Sequence, residues 1–280
     1  MGLAEVVDHL ACPVCAGPLA LVPAALRCSR GHSFDIARQG YAALLPSRGR
    51  TVPGDTAAMV AARSHWLRDG HFDPIIEALV GTAAALDLPA GCVVDVGAGP
   101  GRHLAAVLDR LADRVGVAID VSVAAARAAA RVHPRVGSVL ADARTDLPLV
   151  SGTGGLALDV FAPRAATALQ RVLAPGGVVL VVTPTPEHLR ELVPALGLVS
   201  VDPVKDERLA VAMAPGFTLE RDRLVDGAMR LDRDAVGRLV AMGPSAIHVA
   251  PAALAAGLAR LPERLRVTLS VRVSTWRRRS

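Results

Sequence analysis

The 280-residue sequence predicts an α/β protein, a doubly wound and mostly parallel sheet preceded by a small N-terminal zinc-binding domain. Three observations predict it. Apolar strand-like runs alternate with helix-period segments between residues 92 and 182. The first of these runs leads directly into a glycine-rich turn, and Cys and His residues near the N-terminus stand at metal-ligand spacing.

The N-terminal quartet is Cys12, Cys15, Cys28 and His32, reading C-x2-C, twelve residues, then C-x3-H. A segment this short has no core of its own, and a metal held by three thiolates and an imidazole replaces one. All four positions are then protein ligands, so the ion expected is a structural zinc with no open coordination site. Cys92 begins an apolar run and reads as a core residue. Ile36, Tyr41, Leu44 and Leu45 are expected to pack on the metal module, with Arg48 and Arg50 flanking a boundary. The expected division is 1–46 for a zinc-knuckle RNA-recognition domain, 47–90 for a helical linker and 91–280 for the main domain. Within the linker, a helix capped by Asp55 runs to about Asp69 and stops at Gly70, and a second starts at Asp73-Pro74.

The main domain opens with CVVDVGAGPG, residues 92–101, where Gly97, Gly99 and Gly101 let the backbone turn tightly and approach a ligand. A second strand, 115–119, ends in Asp120, placed to accept the ribose hydroxyls of a nucleoside. A third, 136–140, ends in Ala141-Asp142-Ala143, expected to meet the adenine edge. A fourth, 156–161, carries Asp159 near its end, and the turn 174–177 precedes a fifth at 178–182. The turn is G-x-G-x-G; a dinucleotide fold would place its third glycine one residue later. Beyond these, residues 217–231 read as one bent or two short strands, 232–242 and 251–260 as helices, and 267–273 as a last strand. Arg277 to Arg279 form a solvated tail, with phosphate contact as the alternative.

A formal charge of +5 favours an anionic partner. Nearly all of it is Arg, Lys205 being the lysine, in a chain rich in Ala, Val, Gly and Pro, so genome composition accounts for part of the excess. Aromatic residues are only 2%, which leaves few stacking platforms for bases. No leader and no bilayer-length apolar run is evident, so a cytoplasmic location and no membrane contact are expected.

DVGAGPG, the strand ending in Asp120, ADA and the PGG turn together resemble the signature of a Rossmann-like class I methyltransferase. With CPVCAGPL, CSRGHSFDIARQGYAALL, DTAAMVAARSHWLRDGHFDPI, DVFAPR, APGGVVLVVTPTPEHLREL and VAMGPSA, nearly the whole chain resembles the bacterial 23S rRNA (guanine-N1)-methyltransferases. The similarity is greatest to the actinomycete branch associated with resistance to tylosin-like and mycinamicin-like macrolides. That resemblance implies S-adenosylmethionine as cofactor, 23S rRNA as substrate, a homodimer with an RNA-sized cleft, and zinc on Cys12, Cys15, Cys28 and His32. It puts cofactor contacts on Phe72, Gly99, Pro100 and His188, beside Gly97, Gly101, Asp120 and Asp142 from the strand ends. Phe72 departs from the Tyr of several relatives, so an aromatic face is kept and a hydroxyl is lost.

N1 of guanine carries a proton at neutral pH, and Asp159 is the acceptor expected for it. The expected target is a guanine in a hairpin loop of domain II, at the peptide tunnel where macrolide sugars bind. Two other classes stay open at this point: a small-molecule methyltransferase whose knuckle only stabilises the fold, and a non-catalytic, cofactor-binding ribosome-assembly factor.

Overall fold

A computed structural model describes residues 2–45, 54–162, 165–202, 204–243 and 245–279. Arg48 and Arg50 lie outside the described residues. The chain begins with a short helix α1 (Gly2–Val6) and a 3-10 turn, Val7–His9. Strands β1 (Leu19–Val22), β2 (Ala25–Cys28) and β3 (Ser33–Asp35) then form a small antiparallel sheet in that order.

The next strand, β4 (Tyr41–Ala43), leaves this sheet and joins the main one. It pairs in parallel with β7 (Val136–Leu140), Tyr41 opposite Ser138 and Ala43 opposite Leu140. Tyr41 therefore packs against Ala126 and Leu140 and not on the metal module. Leu10, Cys12, Leu26, Cys28 and Leu44 share one buried cluster with Val94, Val117 and Val139 of the main sheet. Residues up to 45 thus contribute a strand and part of the core to the sheet. Helix α1 lies so close to β7 that a Cβ on Gly137 would fall 2.1 Å from Val6 Cγ2, so only glycine fits there.

Helix α2 (Ala57–Arg68) is capped by Thr56, whose hydroxyl accepts from the Met59 amide at 3.2 Å. Asp55, the cap expected from sequence, pairs with Arg63 instead. Helix α3 (Asp73–Ala85) follows with Pro74 in its first turn. Trp66, Leu67, Ile75 and Leu79 of these helices are buried in the core of the sheet.

The doubly wound part runs β5 (Cys92–Val96), α4 (Arg102–Arg110), β6 (Gly116–Asp120), α5 (Val123–Ala129), β7, β8 (Gly154–Val160), α6 (Ala166–Val172) and β9 (Leu173–Pro184). Cys92 is fully buried. Strand β9 begins five residues before the expected start, because pairing with β8 continues through a register shift near Gly154. Then come α7 (Leu192–Leu196), α8 (Lys205–Met213), β10 (Phe217–Asp232), α9 (Arg233–Met242), α10 (Ser245–His248), α11 (Pro251–Arg260) and β11 (Arg264–Arg278).

The main sheet has the order β10-β11-β9-β8-β5-β6-β7-β4. It is parallel from β9 to β4, and β11 lies antiparallel to both β9 and β10. β10 is one continuous strand with an irregularity between Leu219 and Arg221. The arginines expected as a solvated tail are woven into the fold. Arg277 reaches the Gly176 carbonyl at 2.8 Å, Arg278 the Leu173 carbonyl at 2.8 Å, and Arg279 the Thr218 hydroxyl at 3.2 Å. The chain order reverses on either side of β5, which opens a crevice at the C-terminal ends of β5 and β8.

Candidate functional site

The metal quartet is assembled by two turns, one after β2 and one before β1. Cys15 Sγ lies 3.7 Å from Cys28 Sγ, and His32 Nδ1 lies 3.6 Å from Cys12 Sγ and 3.3 Å from Cys28 Sγ. All four donor atoms fall within 4.8 Å of one another. A tetrahedral zinc with bonds of about 2.0–2.3 Å separates its ligands by roughly 3.4–3.8 Å, a spacing the donor set suits.

At the crevice, the backbone after β5 turns through Gly97, Gly99 and Gly101 with φ of 68°, 54° and 80°. Asp120, at the end of β6, accepts from the Gly99 amide at 2.8 Å on one oxygen and from the Ser122 amide at 2.8 Å on the other. Burial raises its pKa, opposed by these two amides. A carboxylate offers about four acceptor positions, so two stay open for a diol. Pro100 completes the turn and is buried. Asp142 follows β7 but is engaged by Arg144, whose Nε donates at 2.9 Å and whose backbone amide donates at 3.0 Å. That side-chain hydrogen bond holds the Asp142 carboxyl below its ordinary range.

On the other side of the crevice stand Phe72, Phe161 and His188. Phe72, at the start of α3, lies 6.2 Å from His188 and 5.9 Å from Phe161 between ring centroids. His188 follows β9, accepts from the Ser270 amide at 3.2 Å through Nδ1, and is held neutral because burial lowers its pKa to about 4. Asp159 is buried near the end of β8, level with Val96 of β5.

The expected residues Gly97, Gly99, Pro100, Gly101 and Asp120 come together at one side of the crevice, and Phe72 and His188 at the other. Asp142 sits at its strand end but faces Arg144. Four further residues belong to the site and were not singled out from sequence. Asp95, within the DVGAGPG run, is wholly buried; burial first, then the Asp120 and Asp159 carboxylates, push its pKa up to about 8. Its Oδ2 has no partner among the described residues. Arg63 of α2 reaches across the glycine turn: a Cβ on Gly99 would lie 3.4 Å from its NH1, and its NH2 donates to the Met242 carbonyl at 2.6 Å. His103, in the first turn of α4, has a buried Nε2 with no partner among the described residues and a pKa lowered by burial to about 4. Phe161 is the fourth. Position in DVGAGPG, DVFAPR and DTAAMVAARSHWLRDGHFDPI was a signal for Asp95, Phe161 and Arg63, but the role of each depends on packing that no single run shows.

Residues 10–51 match the family described as the zinc ribbon of RlmA, N-terminal. The chain is 48% identical over 276 residues, 98% of each chain, to the 23S rRNA (guanine(748)-N(1))-methyltransferase of Streptomyces fradiae. It is 48% identical over 292 residues, again 98% of each, to a provisionally named 23S rRNA (guanine-N(1)-)-methyltransferase of Micromonospora griseorubida. Among solved structures, a chain from the complex of the Haloferax volcanii Trm112 methyltransferase activator with a methyltransferase superposes with a TM-score of 0.50 at 18% identity. That match covers 82% of this chain and 100% of the other, and it concerns the fold alone.

Proposed function

We propose, from the premise that this chain belongs to the 23S rRNA (guanine-N1)-methyltransferase family, that it methylates N1 of a guanine in a domain II hairpin loop of 23S rRNA. The enzyme uses S-adenosylmethionine and carries a structural zinc. The observation that carries the reading is 48% identity, over 98% of both chains, with the Streptomyces fradiae enzyme. The cofactor crevice and the Cys3His quartet agree with it. The modification confers tolerance to tylosin-like or mycinamicin-like macrolides, and the protein works in the cytoplasm as a homodimer. No helix among the described residues is long and apolar enough to cross a membrane.

The sulfonium of the cofactor supplies a methyl group already activated for transfer. The protein's part is to bind, align and exclude water. Asp120 would hold the ribose hydroxyls, and Gly97, Gly99, Pro100 and Gly101 would let the backbone close on the cofactor. Asp142, paired with Arg144, would serve the adenine. Arg63, a cation beside the glycine turn, would suit the amino-acid carboxylate. Phe72 and the neutral His188 would contact the cofactor from the other side.

The proton on N1 passes to Asp159. Asp95, the carboxyl that burial keeps protonated, sits beside it on the neighbouring strand. The zinc module, which would be bound through Cys12, Cys15, Cys28 and His32, forms the RNA-recognition part over residues 1–46, and 47–90, whose helices α2 and α3 pack into the sheet, lies between it and the rest of the transferase part at 91–280.

N1 lies on the pairing edge, so the target must be unpaired or flipped. A methyl there blocks reverse transcription. Primer extension on naked large-subunit rRNA treated with the protein and labelled cofactor should give one new stop at a domain II loop guanine. Label elsewhere in rRNA defeats the target; label in a metabolite pool and none in rRNA defeats the substrate class.

A further inference from the structure

We propose that Phe161 is the platform on which the methyl-accepting guanine stacks, a role that rests on the rRNA reading above. Phe161 follows β8 directly, two residues after Asp159, at the mouth of the crevice. Its φ of 55° lies in the left-handed region, which a bulky aromatic residue rarely adopts. The conformation is held by its own amide, which donates to the Val182 carbonyl at 3.2 Å. Held strain of this kind clusters where a side chain must be aimed.

What is aimed is a ring that its neighbours cover only in part. Phe161 is 40% exposed and is the one aromatic residue among the exposed large hydrophobics of the described chain. Trp66, Phe72, Phe217, Trp276 and Tyr41 are all buried. Packing alone does not explain the choice of residue, because an exposed ring in a strained backbone gains little from burial. The ring is nevertheless supported from behind. His188 lies 6.2 Å away at an interplanar angle of 24°, and Phe72 lies 5.9 Å away. His188 is itself fixed by the Ser270 amide, so the stack has a rigid base. A purine drawn out of an RNA loop loses its stacking partners and needs a replacement π-surface at the reacting end of the site. Phe161 offers that surface beside Asp159, the acceptor for the pairing-edge proton.

The experiment compares Phe161→Asn, Phe161→Tyr and Phe161→Leu with the parent in single-turnover methylation of a domain II rRNA fragment, alongside calorimetric binding of S-adenosylmethionine. Asn tolerates the left-handed backbone, so it removes the ring without adding strain. Phe161→Asn is expected to lower methylation efficiency about tenfold to a hundredfold, the range of a lost base–aromatic stack. Its cofactor affinity is expected to stay within about twofold of the parent. Tyr restores the rate and Leu does not. Equal losses of cofactor affinity and methylation would show a cofactor contact and overturn the proposal, as would a Leu variant as active as Tyr. An active parent matched by Phe161→Asn sinks the stacking role alone; a parent that methylates no rRNA sinks the rRNA reading and this role together.

Discussion

Asp120 was legible in the sequence because an acidic residue ending the second strand of a doubly wound sheet has one geometric destination, and the structure brings it within 2.8 Å of the Gly99 amide. Asp120→Ala is expected to weaken binding of S-adenosylmethionine by about 1.5–3 kcal/mol, measured by calorimetry, the worth of charge-assisted hydrogen bonds. The DVGAGPG run marked the position of Asp95 but not its character, which lies in burial among other carboxylates. Asp95 has a consequence for pH. In the fold its carboxyl titrates near about 8 and in the unfolded chain near 3.8, so over that interval the native state keeps a proton the unfolded chain has released. Stability from this group is full below pH 3.8 and declines as pH rises through about 8. His103 and His188, lowered from 6.5 to about 4, act the other way: their contribution is present above 6.5 and lost as pH falls through about 4. Between pH 6.5 and 8 the histidine effect is spent, whereas Asp95 and the metal-site thiol Cys28, whose pKa is lowered from 9.0 to about 6, act in opposite directions. Denaturant unfolding at pH 6.5, 7.2 and 8 should therefore show the stability of the parent falling relative to that of Asp95→Asn as pH rises; identical slopes would remove Asp95 as the cause.

Elements with a strong period were found within a few residues, among them β5, β7, α3 and α11, because strand alternation with turn punctuation is local information. β4 was not. Three residues, Tyr41–Ala43, carry no period, and their pairing partner lies far along the chain at β7. The cap of α2 was displaced by one residue because Thr56 and Asp55 are both good caps, and the Arg63 ion pair removes Asp55 from the competition. The metal turns were read correctly as a quartet, but their attachment to the sheet was not. Cys12 and Cys28 belong to the same buried cluster as Val94 and Val139. Cys28→Ser is accordingly expected to lose zinc and to lower the unfolding midpoint of the entire protein. Metal analysis with thermal unfolding tests this, and a separate low-temperature transition for the N-terminal part, with the main transition unmoved, would contradict it.

For the molecule as a whole, the class of sheet followed from sequence, whereas its two edges did not, since edge order depends on which strand returns to which neighbour. The last strand is the decisive case. β11 follows β10 in the chain and sits inside the sheet, with β9 on one side and β10 on the other. Among the described residues it alone joins β10 to the rest of the sheet. A chain lacking residues 264–278 leaves the β9 edge and β10 unpaired, the condition in which strands are most open to proteases and aggregation. A variant truncated before residue 264 should be cut readily within β10 by limited proteolysis, and the 280-residue chain should resist. Resistance already present in the truncated chain would mean that the sheet closes by another route.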